Sequence, residues 1–255
     1  MTAFFFALSF LTRLPIIIKI EYNDRLPSRA MNFYPMVGAI IGLILILLDY
    51  LFSLSLPFSI RNILLLVFLI YLTGGLHLDG FIDTIDGIFS CREKEKILNI
   101  MHDSLIGSFG AVAIILLLIL KYNLFMELTD DFRTPIFLLM PAISRFMAVV
   151  AAYNYPLAVS SKFAKEIKSY LTYKEAITAG IYLLIYFIVI LYVFSFPIYI
   201  TIIIFVFTYL VISIFLNYVV KLIDGLTGDV YGAVIEISEI LVLLSFLAAN
   251  RLIVI

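Results

Sequence analysis

Asp79, Asp83 and Asp86 recur at i, i+4 and i+7 within Gly74-Gly75-Leu76-His77-Leu78-Asp79-Gly80-Phe81-Ile82-Asp83-Thr84-Ile85-Asp86-Gly87. That spacing sets three carboxylates along one helical face. Like charges so close resist ionising together unless a cation sits between them. Oxygen-only donors suit a hard cation, and Mg²⁺ keeps waters while sharing one or two carboxylates with substrate phosphates. Gly80 and Gly87 follow the first and third aspartates and leave no Cβ where a bulky ligand could approach. The plain alternative is a hydrated loop at a helix end. His77 could contact a phosphate or carry a proton near neutral pH. An interfacial histidine satisfied by a backbone carbonyl fits equally well.

A second acidic run begins at Asp229, from which Gly232, Glu236 and Glu239 follow at i+3, i+7 and i+10. This stripe continues into Ile240-Leu241-Val242-Leu243, and a charge at the bilayer centre costs on the order of 3 kcal/mol. Two such glutamates need a metal, an arginine or a proton; protonated glutamates bonding between helices are the structural alternative. Arg145, inside an apolar span, is the obvious countercharge, or else a bidentate fork for a substrate phosphate. Lys121 is expected to snorkel towards the outer end of its span. Gly225 and Gly228 would let a phosphate approach the backbone. Asp103-Ser104, ahead of Gly107-Ser108-Phe109-Gly110, could present free N–H groups to a phosphate, although an ordinary helix start explains that run too.

The elements that must position these groups are apolar. The 255 residues are 64% hydrophobic, beyond the roughly half found in soluble domains. A net charge of −1 leaves no basic footprint for nucleic acid. One cysteine and two histidines exclude an internal disulfide and argue against a Cys/His zinc site. Seven stretches approach the length of a membrane span: 33–56, 60–78, 109–126, 135–153, 176–196, 198–219 and 230–250. The apolar N-terminal run, residues 1–12, is too short to cross and is expected to lie in the interface or re-enter. The expected architecture is all-α, a single polytopic bundle over 1–255. Residues 92–104 read as a short amphipathic helix on the 79–108 loop. Seven crossings put Arg13, Lys19, Arg25, Arg29, Arg92, Lys94, Lys96, Lys162, Lys165, Lys168, Lys174 and Lys221 on one side, against Arg61, Arg133 and Arg251 on the other. The positive-inside bias then makes the N-terminus and the aspartate-rich loop cytoplasmic in a cell membrane.

At these motifs the chain resembles the cobalamin-5′-phosphate synthases, also called adenosylcobinamide-GDP ribazoletransferases. The likeness rests on Phe10-Leu11-Thr12-Arg13-Leu14-Pro15, Phe33-Tyr34-Pro35-Met36-Val37-Gly38, Gly75-Leu76-His77-Leu78-Asp79-Gly80 and Asp83-Thr84-Ile85-Asp86-Gly87. It continues through Ile100-Met101-His102-Asp103-Ser104 and Gly225-Leu226-Thr227-Gly228-Asp229-Val230, with Glu236 and Glu239. His102 stands where a basic residue is expected, Tyr231 replaces an apolar one, and 154–220 carries little motif. The resemblance implies a Mg²⁺-dependent membrane enzyme that joins adenosylcobinamide-GDP to α-ribazole, or its 5′-phosphate, and releases GMP. Asp79, Asp83, Asp86 and Asp229 would hold metal on the pyrophosphate. Asp103, Asp229, Glu236 or Glu239 would complete the shell or take the acceptor proton, and Arg13 or Arg145 would offset developing charge. Small-molecule substrates, the lipid bilayer and a homo-oligomeric partner are compatible; nucleic acid is not.

Other classes fit less well. Asp83-Thr84-Ile85-Asp86-Gly87 partly mimics a CDP-alcohol phosphotransferase, but Arg92 is displaced by one position and the later aspartates are missing. An aspartate-rich membrane prenyltransferase would want Asn where Gly75 stands. A cation-coupled transporter would use Glu236, Glu239 and Arg145 as a relay, yet no inverted repeat is evident.

Overall fold

The computed structural model describes residues 1–158 and 162–253, with side chains described for 1–158 and 165–251. The first elements are α1 (Thr2–Leu11), α2 (Leu26–Ala30), a 3₁₀ turn (Met31–Phe33), α3 (Tyr34–Ser53), α4 (Phe58–Thr73), α5 (Leu76–Phe89) and α6 (Lys94–Met101). There follow α7 (Ser108–Met126), α8 (Asp130–Asn154), α9 (Lys162–Tyr170), α10 (Tyr173–Phe194), α11 (Ile198–Ile223) and α12 (Gly228–Ile253). Among the described residues the only β pairing is one isolated bridge between Leu157 and Leu226. The expected all-α polytopic bundle is therefore the observed one. Among the described residues six helices are long and apolar enough to cross a membrane, and the α4–α5 pair makes a seventh if counted as one broken span.

That break corrects the expected span 60–78 and the expected 79–108 loop. α4 stops at Thr73, because Gly74 and Gly75 both adopt left-handed φ, +66° and +70°, a backbone that glycine enters without steric cost. α5 then leaves at 89° to α4. The aspartates thus sit on a helix, with α6 following it.

The bundle is layered by burial. In the apolar windows of α8 and α12, 83% and 72% of residues are buried, against 17% in α10 and 28% in α11. α8 and α12 are therefore the central helices, and α10 and α11 offer apolar surface to lipid. α3 reaches α8 through Gly38 and Gly42: a Cβ on Gly38 would stand 2.2 Å from the Pro141 carbonyl oxygen, and one on Gly42 2.7 Å from that of Phe137. Small residues four apart let two membrane helices touch along their backbones.

Successive crossings alternate, so the loops sort into two ends. At one end Arg13 covers Gly74, Lys94 pairs with Asp224 at 2.8 Å, and Arg25 lies over the Tyr170 ring. Lys168 donates to the last carbonyls of α8, Ala152 at 2.9 Å and Tyr153 at 3.0 Å. Tyr22 donates to Glu166, a bond that pushes the phenol pKa up to about 12. These contacts tie together the segments expected to share one basic side; the side chain of Lys162 lies outside the described residues. At the far end Asp49 accepts Arg133 twice, Nε and Nη2 each at 2.8 Å, and also Arg61. Arg133 further donates to Asn62 and lies between the Phe58 and Phe137 rings. Arg61 and Arg133 are thus members of an ion cluster.

Candidate active site

The crossing of α5 and α12 builds the site. A Cβ on Gly80 would meet the Asp229 carbonyl oxygen at 2.7 Å, and one on Gly232 the His77 carbonyl oxygen at 3.1 Å. Two glycines on facing helices bring the first turns of α5 and α12 together. The acidic block of residues 79–86 and the start of the 229–239 stripe therefore meet at one end of the bundle. Asp79 is exposed, while Asp83 and Asp229 are half-buried. Asp83 experiences Asp79, Asp229 and Asp86 as like-charged neighbours. Thr227 donates to Asp229 at 3.3 Å, and His102 lies within electrostatic reach of the same carboxylate.

Beneath this acidic rim lies a cavity of about 260 Å³. Asp79, Gly80, Gly228 and Asp229 border it, His77 lines its wall, and the remainder is apolar or aromatic, including Phe10, Tyr34 and Tyr231. None of its lining residues is a lysine or arginine. His77 is 3% exposed, and neither ring nitrogen has a partner. The interfacial, carbonyl-bonded histidine is not what the structure shows.

Asp86 is buried and does not line the cavity, although Asp83 feels its charge. Its carboxylate accepts the backbone N–H of Gly107 at 2.8 Å and of Gly110 at 2.8 Å. It caps the first turn of α7, satisfying donors that a helix start leaves open. Gly107-Ser108-Phe109-Gly110 does present free N–H groups to an anion, and the anion in this structure is Asp86. Asp103 and Ser104 are exposed just before that turn, with Asp103 accepting Leu105 N–H at 3.1 Å.

Glu236 and Glu239 lie deeper than Asp229, by roughly 10 and 15 Å along the helix. Neither borders the cavity. Lys121 Nζ stands 2.6 Å from Glu236 and 2.8 Å from Glu239, and Arg145 closes on the other oxygen of Glu239. Lys121 is 2% exposed, so it does not snorkel; two buried carboxylates hold it inside. Of the alternatives open for Arg145, the pair with Glu239 is the one formed. The sequence offered no signal for the Lys121 contacts, since its partners lie 115 and 118 residues away.

The remaining sequence-expected positions separate by what surrounds them. Arg13 is exposed, with its side chain over Gly74 beside the start of α5. Gly87 faces Met101 and Ile97 of α6, and Gly225 faces the backbone of Leu157 and Ala158, so both serve close packing. A Cβ on Gly228 would meet nothing within 4 Å, leaving that backbone open to a ligand. Among the described residues no three His, Cys, Asp or Glu side chains are gathered as a ready metal cage. The rim offers carboxylate oxygens only, a donor set that fits a hard cation completed by water and phosphate oxygens.

These features define the class: a multi-pass membrane enzyme with an acid-rimmed cavity at one end of its bundle. The family model described as cobalamin-5-phosphate synthase matches residues 3–247, and the chain belongs to that family. It is 34% identical to the adenosylcobinamide-GDP ribazoletransferase of Fusobacterium nucleatum over 97% of each chain. It is 33% identical to that of Clostridioides difficile over 96% of each, and 35% identical to that of Acetivibrio thermocellus over 93% of this chain and 94% of the relative. No solved structure matches.

Proposed function

We propose that this chain is an adenosylcobinamide-GDP ribazoletransferase of the cytoplasmic membrane, working with Mg²⁺ at its acidic end. The observation that carries the reading is the cavity bordered by Asp79 and Asp229, with Asp83 within electrostatic reach of both, in a chain matched to the family almost end to end. The acceptor hydroxyl oxygen of α-ribazole forms a bond to the corrinoid-bearing phosphorus. The bridging P–O bond breaks, GMP departs, and the hydroxyl proton passes to a carboxylate.

The residues divide the work by position. Asp79 and Asp83 would hold Mg²⁺, which when bound screens the pyrophosphate charge and stabilises the leaving phosphate. Asp229 borders the cavity and is placed to take the acceptor proton. Arg13 supplies exposed positive charge beside α5 for the diphosphate. Asp86 holds α7 against α5 and keeps the rim in register. Glu236, Glu239, Arg145 and Lys121 act beneath the site by locking α7, α8 and α12 together.

The cationic segments gathered at this end favour the cytoplasmic side for the site and for the N-terminus. Membranes containing the protein, given adenosylcobinamide-GDP, α-ribazole and Mg²⁺, should yield GMP and a complete corrinoid. Chelation should stop turnover and added Mg²⁺ restore it. Consumption of a CDP-alcohol or a prenyl diphosphate instead, with no corrinoid product, would overturn the reading.

A further inference from the structure

We propose that the cavity is the acceptor subsite: it takes the planar heteroaromatic base of a small nucleoside against His77. The corrinoid and the nucleotide diphosphate stay outside, at the rim. This inference rests on the transferase reading above and deepens it.

Size is the first ground. At about 260 Å³ the cavity lies just below the range of roughly 300–1,000 Å³ typical of small-ligand pockets. That suits a base or a nucleoside and is far too small for a corrin macrocycle.

Charge is the second. The walls carry no cationic side chain, and two aspartates stand at the mouth. An entering phosphate would meet two aspartates at the mouth and no lysine or arginine in the walls, whereas a neutral aromatic ring would not be repelled. The walls match such a ring, with Phe10, Tyr34 and Tyr231 offering faces and edges to it.

His77 is the third and independent ground. Buried polar groups are almost always satisfied, because an unpaired one loses its hydration without a replacement bond. Both nitrogens of this imidazole lack a partner although the ring is 97% buried and lines the cavity. A neutral imidazole offers one donor and one acceptor. An N-glycosylated benzimidazole-type base carries a free ring nitrogen that accepts the donor, while its sugar hydroxyls extend towards Asp229. Gly228, open on its Cβ side, leaves the sugar room to pass.

The test measures each substrate alone by equilibrium dialysis on the purified full-length protein in lipid nanodiscs, for wild type, His77→Phe and Gly228→Leu. α-Ribazole affinity should fall about tenfold or more in both variants, the equivalent of about 1.4 kcal/mol. Adenosylcobinamide-GDP binding should stay within about twofold of wild type, a difference well under 1 kcal/mol. Retained corrinoid binding also shows that the variants fold, and Gly228→Leu carries the test should His77→Phe not insert. Unchanged α-ribazole affinity in a folded variant, or an equal loss of corrinoid binding, overturns the subsite assignment while wild-type turnover stands. Wild-type protein that turns over neither substrate overturns the transferase reading itself.

Discussion

The carboxylate of Asp86 accepts the backbone N–H of Gly110 from a different helix, at 2.8 Å. With Gly107 on its other oxygen, this aspartate is tied to the start of α7. Asp83, one turn earlier on α5, has no such partner and faces other carboxylates. Two aspartates of one motif therefore sit in different surroundings, one bonded to a helix start and the other among carboxylates. Asp83→Asn should abolish turnover and leave the thermal midpoint in detergent nearly unchanged. Asp86→Asn sets an amide NH₂ against a backbone donor and should cost about 1–3 kcal/mol of stability. Circular dichroism melts of the two variants, beside activity, check the split.

Helix spacing gives a second contrast. Gly80→Ala forces a methyl group into the Asp229 carbonyl, whereas Gly228→Ala meets open space. The first should separate α5 from α12 and reduce kcat at least about tenfold, an effect of about 1.4 kcal/mol on the barrier. The second should retain near-normal kcat. Steady-state kinetics on the pair read the difference directly.

The buried ions permit a third measurement. Lys121→Met leaves Glu236 without its partner and Glu239 with Arg145 alone. Removing one member of a buried pair costs about 3–5 kcal/mol. Expression in the membrane and thermal stability should drop, and the double variant Lys121→Met/Glu236→Gln should recover part of the loss. A double-mutant cycle gives the coupling.

Sidedness can be read from a residue already in place. Cys91 is exposed at the acidic end, between α5 and α6, and the chain has no other cysteine. An impermeant maleimide should label it in inverted vesicles and leave it unlabelled in intact cells. The opposite pattern would reverse the orientation.

The spans and the acidic motifs were legible because hydropathy and charge spacing are local properties of the chain. The Gly74-Gly75 pair was visible too, but a continuous apolar run hid the bend, since hydropathy is blind to backbone handedness. Asp49, Asn62 and Arg133 gave no signal, because their bonds join three helices far apart in sequence. The same holds for Gly38 and Gly42, whose purpose is visible only once α8 lies against them. Aromatic richness reads as interfacial belts and lipid-facing bulk; that Phe10, Tyr34 and Tyr231 line one hollow required the fold.

The lysine in α7 has a consequence for biogenesis. Synthesis delivers α7 to the insertion machinery long before its two carboxylate partners exist, 115 and 118 residues downstream. Until α12 arrives, Lys121 lacks both carboxylates that hold it inside, and a lysine kept at the bilayer centre costs roughly 3 kcal/mol, so α7 must let it snorkel or sit less stably. Chains truncated before α12 should therefore insert less stably than the full chain and be degraded faster by membrane proteases.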